Sequence, residues 1–251
     1  MSELGIEISS KCTFNCYFCG KRYREKHTLS TKIFKRVVDE AVELGYDSFI
    51  LTPKNGDIFC DPEVYSKLDY LRKRNIPYYF FTNLHLVKPK MLMKVISPVG
   101  KIYYSEYGKN DEEFEKLTRR PRSFRHKVLR NLEILGSYIS SQSRSNEYIK
   151  MCEIKRTPKE IVKKRFCTEA YNHSVSSNGD IILCTCGCYN PYLIVGNIIH
   201  SSLRNIFTSS IYRDTIKQLI KNGMNNEICQ ERCSNFRTDV SSRQVLKNLR
   251  L

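Results

Sequence analysis

The sequence predicts an α/β protein: a parallel sheet or partial (β/α) barrel, followed by a smaller α+β part that is rich in cysteine. From residue 5 to about residue 150, short apolar runs alternate with helical patterns, as in βα units that build a parallel sheet. Beyond residue 157 this alternation fades, and six of the 11 cysteines lie there. We therefore expect two domains, residues 1–150 and residues 151–251.

The predicted elements of the first domain follow one another in a regular order. Residues 5–10 alternate in polarity like a strand, and Ser30 is a suitable N-cap for a helix that Gly45 ends. The later elements are strand 47–52, a helix opened by Asp61-Pro62, strand 78–84, helix 89–95, strand 101–107 and helix 123–135. Folds of this kind carry their active sites at the carboxyl ends of the strands.

The second domain is predicted to begin after a polar connection. Residues 137–146 are Ser-rich, which favours a linker or loop. Short strands at 181–183 and 193–195 and helices at 202–207 and 212–220 then surround the second group of cysteines. We see no internal repeat and no low-complexity segment in either part.

The composition excludes some classes of protein. No stretch of the 251 residues approaches the roughly 18 apolar residues that a membrane-spanning helix needs. No secretory signal is recognisable, so we expect a cytoplasmic protein, in which cysteines more often bind metals or catalyse than form disulfides. The 42 Lys and Arg residues exceed the 26 Asp and Glu residues by 16. This excess fits solvated helix faces, an anionic substrate, an acidic protein partner or nucleic acid.

The first group of cysteines directly follows the first predicted strand. Cys12, Cys16 and Cys19 have spacings at which three thiolates can hold three irons of a [4Fe–4S] cube and leave the fourth iron open. An open coordination position is typical of a catalytic metal site. The structural alternative is a zinc site in which His27 supplies a fourth ligand.

The CxxxCxxC spacing, with the aromatic residue Phe18 before the last cysteine, resembles the signature of the radical S-adenosylmethionine (SAM) superfamily. This resemblance implies a partial (β/α) barrel of the radical SAM type. It also implies that the open iron chelates the amino and carboxylate groups of SAM. Reductive cleavage of SAM then yields a 5′-deoxyadenosyl radical, which abstracts a hydrogen atom from the substrate.

Further residues match the family at the ends of successive strands. Asn55, Gly56 and Asp57 lie where the family has Gly-Gly-Glu, and the acidic residue would accept from the SAM ammonium group. Since Asp replaces Glu, Asp57 must reach further. The resemblance also implies contacts to the methionine or ribose part of SAM from four residues: Thr82, Asn83, Ser105 and Glu106. Each of these, taken alone, could simply cap a turn.

The second group of cysteines resembles the SPASM/twitch extension found on many radical SAM enzymes. Cys167, a hairpin turn at 177–180, Cys184 and the pair Cys229 and Cys233 carry this resemblance. It implies one auxiliary [4Fe–4S] cluster with these four cysteines as ligands. The family pair has two residues between its cysteines, whereas this chain has three. Four thiolates could instead hold a structural zinc ion.

The remaining cysteines have less definite roles. Cys186 and Cys188 could replace Cys184 as a ligand, donate a hydrogen atom as a cysteine does in some radical epimerases, or be incidental buried thiols. For Cys60 and Cys152 we expect packing in the core.

The expected function is radical SAM chemistry that oxidises or epimerises a small polyol, sugar or nucleotide-linked substrate, with help from the auxiliary cluster. The size most resembles compact radical dehydrogenases that oxidise an aminocyclitol alcohol, and the catalytic base is not assigned. A carrier-bound substrate is included in this prediction. We expect an acidic electron donor such as flavodoxin or ferredoxin.

Two alternatives remain open from the sequence. One is a peptide-modifying enzyme of the same superfamily, which the first strand's position near residue 5 disfavours because we expect no leader-peptide recognition domain before it. The other is a non-catalytic metal-cluster protein that binds nucleic acid. A binding module would not need an open-iron cysteine triad together with Asn55, Gly56 and Asp57.

Overall fold

The computed structural model describes residues 3–19, 25–54, 56–143, 173–183 and 193–222. The strands are β1 (Glu3–Ile6), β2 (Ser48–Ile50), β3 (Tyr78–Thr82), β4 (Gly100–Glu106), β5 (Ser140–Ser143), β6 (Ser174–Val175), β7 (Asp180–Ile182) and β8 (Ile194–Asn197). The α-helices are α1 (Thr31–Glu43), α2 (Val64–Lys73), α3 (Pro89–Val95), α4 (Asp111–Thr118), α5 (Arg122–Leu135), α6 (Leu203–Phe207) and α7 (Ser210–Asn222).

All eight strands join one sheet in the order β5-β4-β3-β2-β1-β6-β7-β8. Neighbouring strands from β5 to β6 pair in parallel, whereas β6 with β7 and β7 with β8 pair antiparallel. The carboxyl ends of β1 to β4 therefore lie at one edge of the sheet, where loops from different strands meet. The predicted α/β class with a parallel sheet is confirmed.

Helix α1 shows how the sequence sets an element. The Ser30 hydroxyl accepts a hydrogen bond from the Ile33 N–H at 3.3 Å, which satisfies one donor of the first turn. Gly45, with φ of 86°, follows the helix in a conformation that glycine adopts without strain. The buried face of the helix consists of Phe34, Val37, Val38 and Ala41.

Two elements lie where the sequence analysis did not expect them. Residues 140–143 form β5 rather than a linker, and the strand pairs with β4 through backbone groups. Polar edge strands of this kind carry no apolar alternation to reveal them. Helix α4 was also not predicted, although Asn110 caps it and its first turn is acidic, both of which are helix-start signals.

The C-terminal strands attach to the edge of β1. The Glu7 carboxylate, which is 1% exposed, accepts from the backbone N–H and the hydroxyl of Ser177, both at 2.9 Å. On α1, Arg36 donates to the Ile198 carbonyl, and Glu40 accepts from the Leu203 N–H at 2.6 Å. These contacts join residues 173–183 and 193–222 to the first half of the sheet, so the proposed division at residue 150 stays a prediction.

Among the described residues, no helix combines the length and apolar character that crossing a membrane requires.

Candidate functional site

The loop that follows β1 contains the three cysteines of the first group. Cys16 is buried at 5% exposure, Cys12 and Cys19 are half-buried, and the Cys19 N–H donates to the Cys16 carbonyl at 3.2 Å. The two ends of the loop meet where the Ser10 N–H donates to the His27 carbonyl at 3.1 Å. The cysteines thus lie on a loop at the edge of the sheet where β1 to β4 end.

Backbone hydrogen bonds fix this loop to the end of α4. The Asn15 N–H donates to the Thr118 carbonyl at 3.0 Å, and the Tyr17 N–H donates to the Leu117 carbonyl at 3.4 Å. Phe14, the residue before Asn15, is 1% exposed and anchors the loop in an aromatic cluster. Its ring neighbours are His85, Tyr107, Phe114 and Phe124.

Phe18, the aromatic residue of the signature, stacks on Tyr107 with ring centroids 6.3 Å apart. Tyr107 follows β4, so this contact joins the cysteine loop to the region where Ser105 and Glu106 lie. Ser105 is buried and Glu106 is half-buried. The contacts of Ser105 and Glu106 to SAM stay predictions.

The sulfur of Cys12 receives two hydrogen bonds. The Phe14 backbone N–H donates to Sγ at 3.4 Å, and Nδ2 of Asn83 donates to the same atom at 3.4 Å. Two N–H groups directed at one sulfur suit a metal-bound thiolate, because the donors stabilise the negative charge on sulfur.

Asp57 accepts hydrogen bonds from three residues, one of which is Asn83. Its Oδ2 accepts from the Thr82 hydroxyl at 2.9 Å and from the Asn83 N–H at 2.8 Å. Its Oδ1 accepts from the Phe59 N–H at 3.0 Å, where it caps the 3-10 helix Ile58–Cys60. At 3% exposure, this carboxylate joins the loop after β2 to the end of β3.

Gly56 brings the loop after β2 against the chain that leaves β1. A Cβ atom at this position would lie 2.0 Å from the Ser9 carbonyl oxygen, a distance that no side chain tolerates. The adjacent Asp57 N–H donates to the Lys11 carbonyl at 2.8 Å. A glycine is therefore needed where the sequence resembles Gly-Gly-Glu.

The three cysteines fit an iron–sulfur cluster in donor chemistry. Thiolates on one loop, two amide donors at Cys12 and an adjoining strand edge are what a cube with an open iron requires. As described, the side chains do not converge: no group of three His, Cys, Asp or Glu residues within the described ranges surrounds a common point. His27, the ligand of the zinc alternative, instead contacts Glu25 at 3.0 Å.

Several predicted site residues lie outside the described ranges. Asn55 and the cysteines of the second group lie outside the described residues: Cys167, Cys184, Cys186, Cys188, Cys229 and Cys233. The hairpin that was expected to precede Cys184 is confirmed as β6 and β7, with Gly179 in the turn at φ of 92°.

His85 is a residue that the sequence analysis missed. Its ring stacks on Phe124 with centroids 4.0 Å apart, and Nδ1 is buried with no hydrogen-bond partner among the described residues. Burial lowers the pKa of His85 to about 4, with smaller contributions from Lys127 and Arg120. Its position in the sequence could have indicated it, because His85 lies two residues after Asn83 and follows β3, the strand that ends in the predicted site residue Thr82.

Comparison with known families supports the interpretation of the C-terminal half. Residues 167–234 match the SPASM family, which is described as an iron-sulfur cluster-binding domain. The matched segment contains all the predicted auxiliary ligands, from Cys167 to Cys233. No match was found among curated proteins.

Solved structures resemble the chain over nearly its whole length. BtrN in complex with AdoMet and 2-DOIA has a TM-score of 0.62 at 13% identity, covering 94% of this chain and 98% of that chain. Tagged anSMEcpe with bound AdoMet has a TM-score of 0.63 at 13% identity, covering 98% and 91%. Streptococcus suis SuiB bound to S-adenosylmethionine has a TM-score of 0.58 at 14% identity, covering 92% and 72%.

These comparisons show that the chain has the radical SAM fold and that residues 167–234 match the SPASM domain. The superfamily resemblance and the fold class predicted from the sequence are both confirmed. The individual roles of the site residues stay predictions.

Proposed function

We propose that this protein is a radical SAM enzyme that oxidises or epimerises a small polyol, sugar or nucleotide-linked substrate. Cys12, Cys16 and Cys19 would hold a [4Fe–4S] cluster, and such a cluster would supply the electron for cleavage of SAM into methionine and a 5′-deoxyadenosyl radical, which would take a hydrogen atom from the substrate. Cys167, Cys184, Cys229 and Cys233 would hold an auxiliary [4Fe–4S] cluster that could accept an electron. An acidic flavodoxin or ferredoxin is the proposed electron donor, because the chain carries a charge of +16.

The position of the cysteine loop is the observation that carries this proposal. Cys12, Cys16 and Cys19 leave the first strand of a parallel sheet at the edge where β2, β3 and β4 also end. A cofactor held there by three thiolates has polar side chains from several strands within reach. The solved structures with bound AdoMet support SAM as that cofactor.

The chain's own residues hold and enclose the site. Phe14 packs the loop against Phe114 of α4 and Phe124 of α5. Phe18, Gly56, Asp57, Thr82, Ser105 and Glu106 are the proposed surroundings of SAM. Cys186 and Cys188 are the proposed hydrogen-atom donors if the reaction is an epimerisation.

The proposed substrate class rests on how much of BtrN and of SuiB this chain covers, and on the molecules with which those two proteins were solved. BtrN was solved with 2-DOIA, and this chain covers 98% of that protein. SuiB was solved with the precursor peptide SuiA, and this chain covers 70% of that protein. The fuller match to BtrN supports a small substrate, and peptide modification is the second candidate function that SuiB favours.

Cleavage of SAM tests the proposal directly. With dithionite as reductant, the anaerobically reconstituted protein should release 5′-deoxyadenosine, and Cys19→Ala should lose this activity. Cys60→Ser is the matched control, because Cys60 lies in the 3-10 helix Ile58–Cys60 outside the cysteine loop and should remain active. Equal activity in both variants, or none in the wild type, would contradict the proposal.

The competing class is a metal-cluster protein that binds nucleic acid. It predicts an affinity for single or double strands that falls steeply with salt, because bound phosphates release counterions. Titration of the protein with labelled oligonucleotides at two salt concentrations distinguishes the two classes. Binding of this kind together with failure to cleave SAM would favour the binding module.

A further inference from the structure

Both ends of the Asn83 carboxamide form hydrogen bonds with groups of this chain. Its Nδ2 donates to Cys12 Sγ at 3.4 Å, and its Oδ1 accepts from the His85 N–H at 2.9 Å. Its backbone N–H donates to Asp57 Oδ2 at 2.8 Å. With the residue 4% exposed, the amide plane is set by the loop that it begins.

The acceptor bond fixes which end of the carboxamide faces the sulfur. Since Oδ1 is held by the His85 N–H, Nδ2 is the end directed at Cys12. Asp57 reinforces this arrangement, because the same Oδ2 atom also accepts from the Thr82 hydroxyl at 2.9 Å. The chain's own hydrogen bonds therefore direct this donor at the sulfur.

A hydrogen bond to a cluster thiolate stabilises the more negative, reduced cluster more than the oxidised one. Hydrogen bonds to sulfur are among the features that set the reduction potentials of iron–sulfur clusters. Cys12 has one such donor from its own loop, the Phe14 N–H, and a second from β3 through Asn83. The side-chain donor is the one that a substitution can remove.

We propose that Asn83 is a positioning residue that raises the reduction potential of the cluster bound by the cysteine loop, rather than a contact to SAM. This inference rests on the proposed function, because it requires a cluster at Cys12. Asn83 acts through its hydrogen bond to the Cys12 sulfur, and Asp57 keeps its carboxamide in place.

The test is a redox titration of the cluster signal by electron paramagnetic resonance, without SAM, in wild type and in Asn83→Asp. Aspartate keeps the acceptor for the His85 N–H and removes the donor to sulfur. The cluster bound by the cysteine loop, called the loop cluster below, is identified as the signal that is absent from the Cys12/Cys16/Cys19→Ala protein. Both proteins are compared at the potential at which half of the wild-type cluster is reduced. At that potential, loss of one hydrogen bond of ordinary strength should lower the ratio of reduced to oxidised cluster in Asn83→Asp about fivefold.

Two further variants separate charge and packing from the hydrogen bond. Asn83→Leu removes the donor without adding charge and should shift the ratio in the same direction. Asn131→Leu is the matched control, because this buried carboxamide donates to the Leu84 carbonyl at 2.8 Å rather than to sulfur. It should leave the midpoint unchanged.

The outcomes distinguish this inference from the proposed function. A loop cluster with an unchanged midpoint in both Asn83 variants, or a loss of SAM affinity without a shift in midpoint, overturns the inference alone. Absence of any loop cluster in the wild type overturns both. If the variants fail to fold, nuclear coupling from ¹⁵N-labelled asparagine to the reduced wild-type cluster decides the question, and absence of that coupling contradicts the inference.

Discussion

Asp57 accepts hydrogen bonds from Phe59, Thr82 and Asn83, and these bonds join the loop after β2 to the end of β3. A buried carboxylate with three donors has a structural role of its own, whatever it contributes to SAM binding. The network is connected, because Asn83 in turn reaches Cys12. Loss of Asp57 should therefore affect both the stability of the protein and the position of the cysteine loop.

We expect Asp57→Ala to lower the free energy of unfolding by about 3 kcal/mol, because three donors would lose their acceptor in a buried place. Urea denaturation measures this change. Asp69→Ala is the control: its carboxylate pairs with Arg72 and Lys73 at the partly exposed surface and should cost less than about 1 kcal/mol. Equal effects of the two substitutions would contradict a structural role for Asp57.

His173 is a second buried polar residue, in the segment that precedes β6. Its Nδ1 lies 2.8 Å from the Tyr46 hydroxyl, and its Nε2 lies 3.0 Å from the Tyr212 hydroxyl. One phenol donates to the unprotonated nitrogen and the other accepts from the N–H, so the neutral imidazole is satisfied. Burial lowers the pKa of His173 to about 4.

This lowered pKa predicts a loss of stability in acid. Between pH 6.5 and pH 4 the unfolded state binds the proton and the folded state does not, so stability falls as the pH falls through this window. From pH 7 to pH 4.5 the contribution of His173 should be about 2 kcal/mol. The lowered pKa of His85 adds a slope of the same sign.

Urea unfolding at both pH values measures the effect, and His173→Gln should reduce the difference by about 2 kcal/mol relative to wild type. An identical pH dependence in the variant would show that the imidazole is not held in its neutral form.

At the scale of elements, the site depends on close contact between two connections. Gly56, after β2, lies against Ser9, after β1, and the Asp57 N–H donates to the Lys11 carbonyl at 2.8 Å. The cysteine loop begins at this contact. A residue with a side chain at position 56 would push the two connections apart.

Gly56→Ala should therefore lower the free energy of unfolding by about 3 kcal/mol or more, because the new Cβ meets a backbone oxygen. Gly136→Ala is a matched control at φ of 39°, where no heavy atom lies within 4 Å of the added Cβ. It should cost about 1 kcal/mol from backbone strain alone. Thermal or urea unfolding compares the two, and a larger effect at Gly136 would contradict the close approach at Gly56.

The elements that the sequence predicts well are those with strong local signals. Helix α3 has the predicted bounds, with Pro89 in its first turn, and Ser30 caps α1 as expected. Strand β5 was missed because its residues are polar and pair through backbone groups alone. The hairpin of β6 and β7 was expected, but the pairing of β6 with β1 was not, because it joins residues more than 160 positions apart and no local pattern encodes it.

The same limit applies to the site. Cys12, Cys16 and Cys19 carry their chemistry in their spacing, so the sequence alone predicts them. The donor from Asn83 to Cys12 and the stacking of His85 on Phe124 join separate segments of the chain. Contacts of this kind follow from tertiary packing, and the sequence shows only that such residues end neighbouring strands.

At the scale of the whole molecule, the sheet is continuous from β5 to β8. Glu7 accepts a hydrogen bond from Ser177 in the turn between β6 and β7. On α1, Arg36 donates to the Ile198 carbonyl and Glu40 accepts from the Leu203 N–H. The hairpin that precedes Cys184 is thus attached to the strand that precedes Cys12.

The central claim is that the chain binds two iron–sulfur cubes, one of them on the loop after β1. The most direct measurement is iron and acid-labile sulfide per chain after anaerobic reconstitution, in wild type and in Cys12/Cys16/Cys19→Ala. The account predicts about eight irons in the wild type and about four in the variant. Zinc in place of iron, or the same iron content in both proteins, would contradict it.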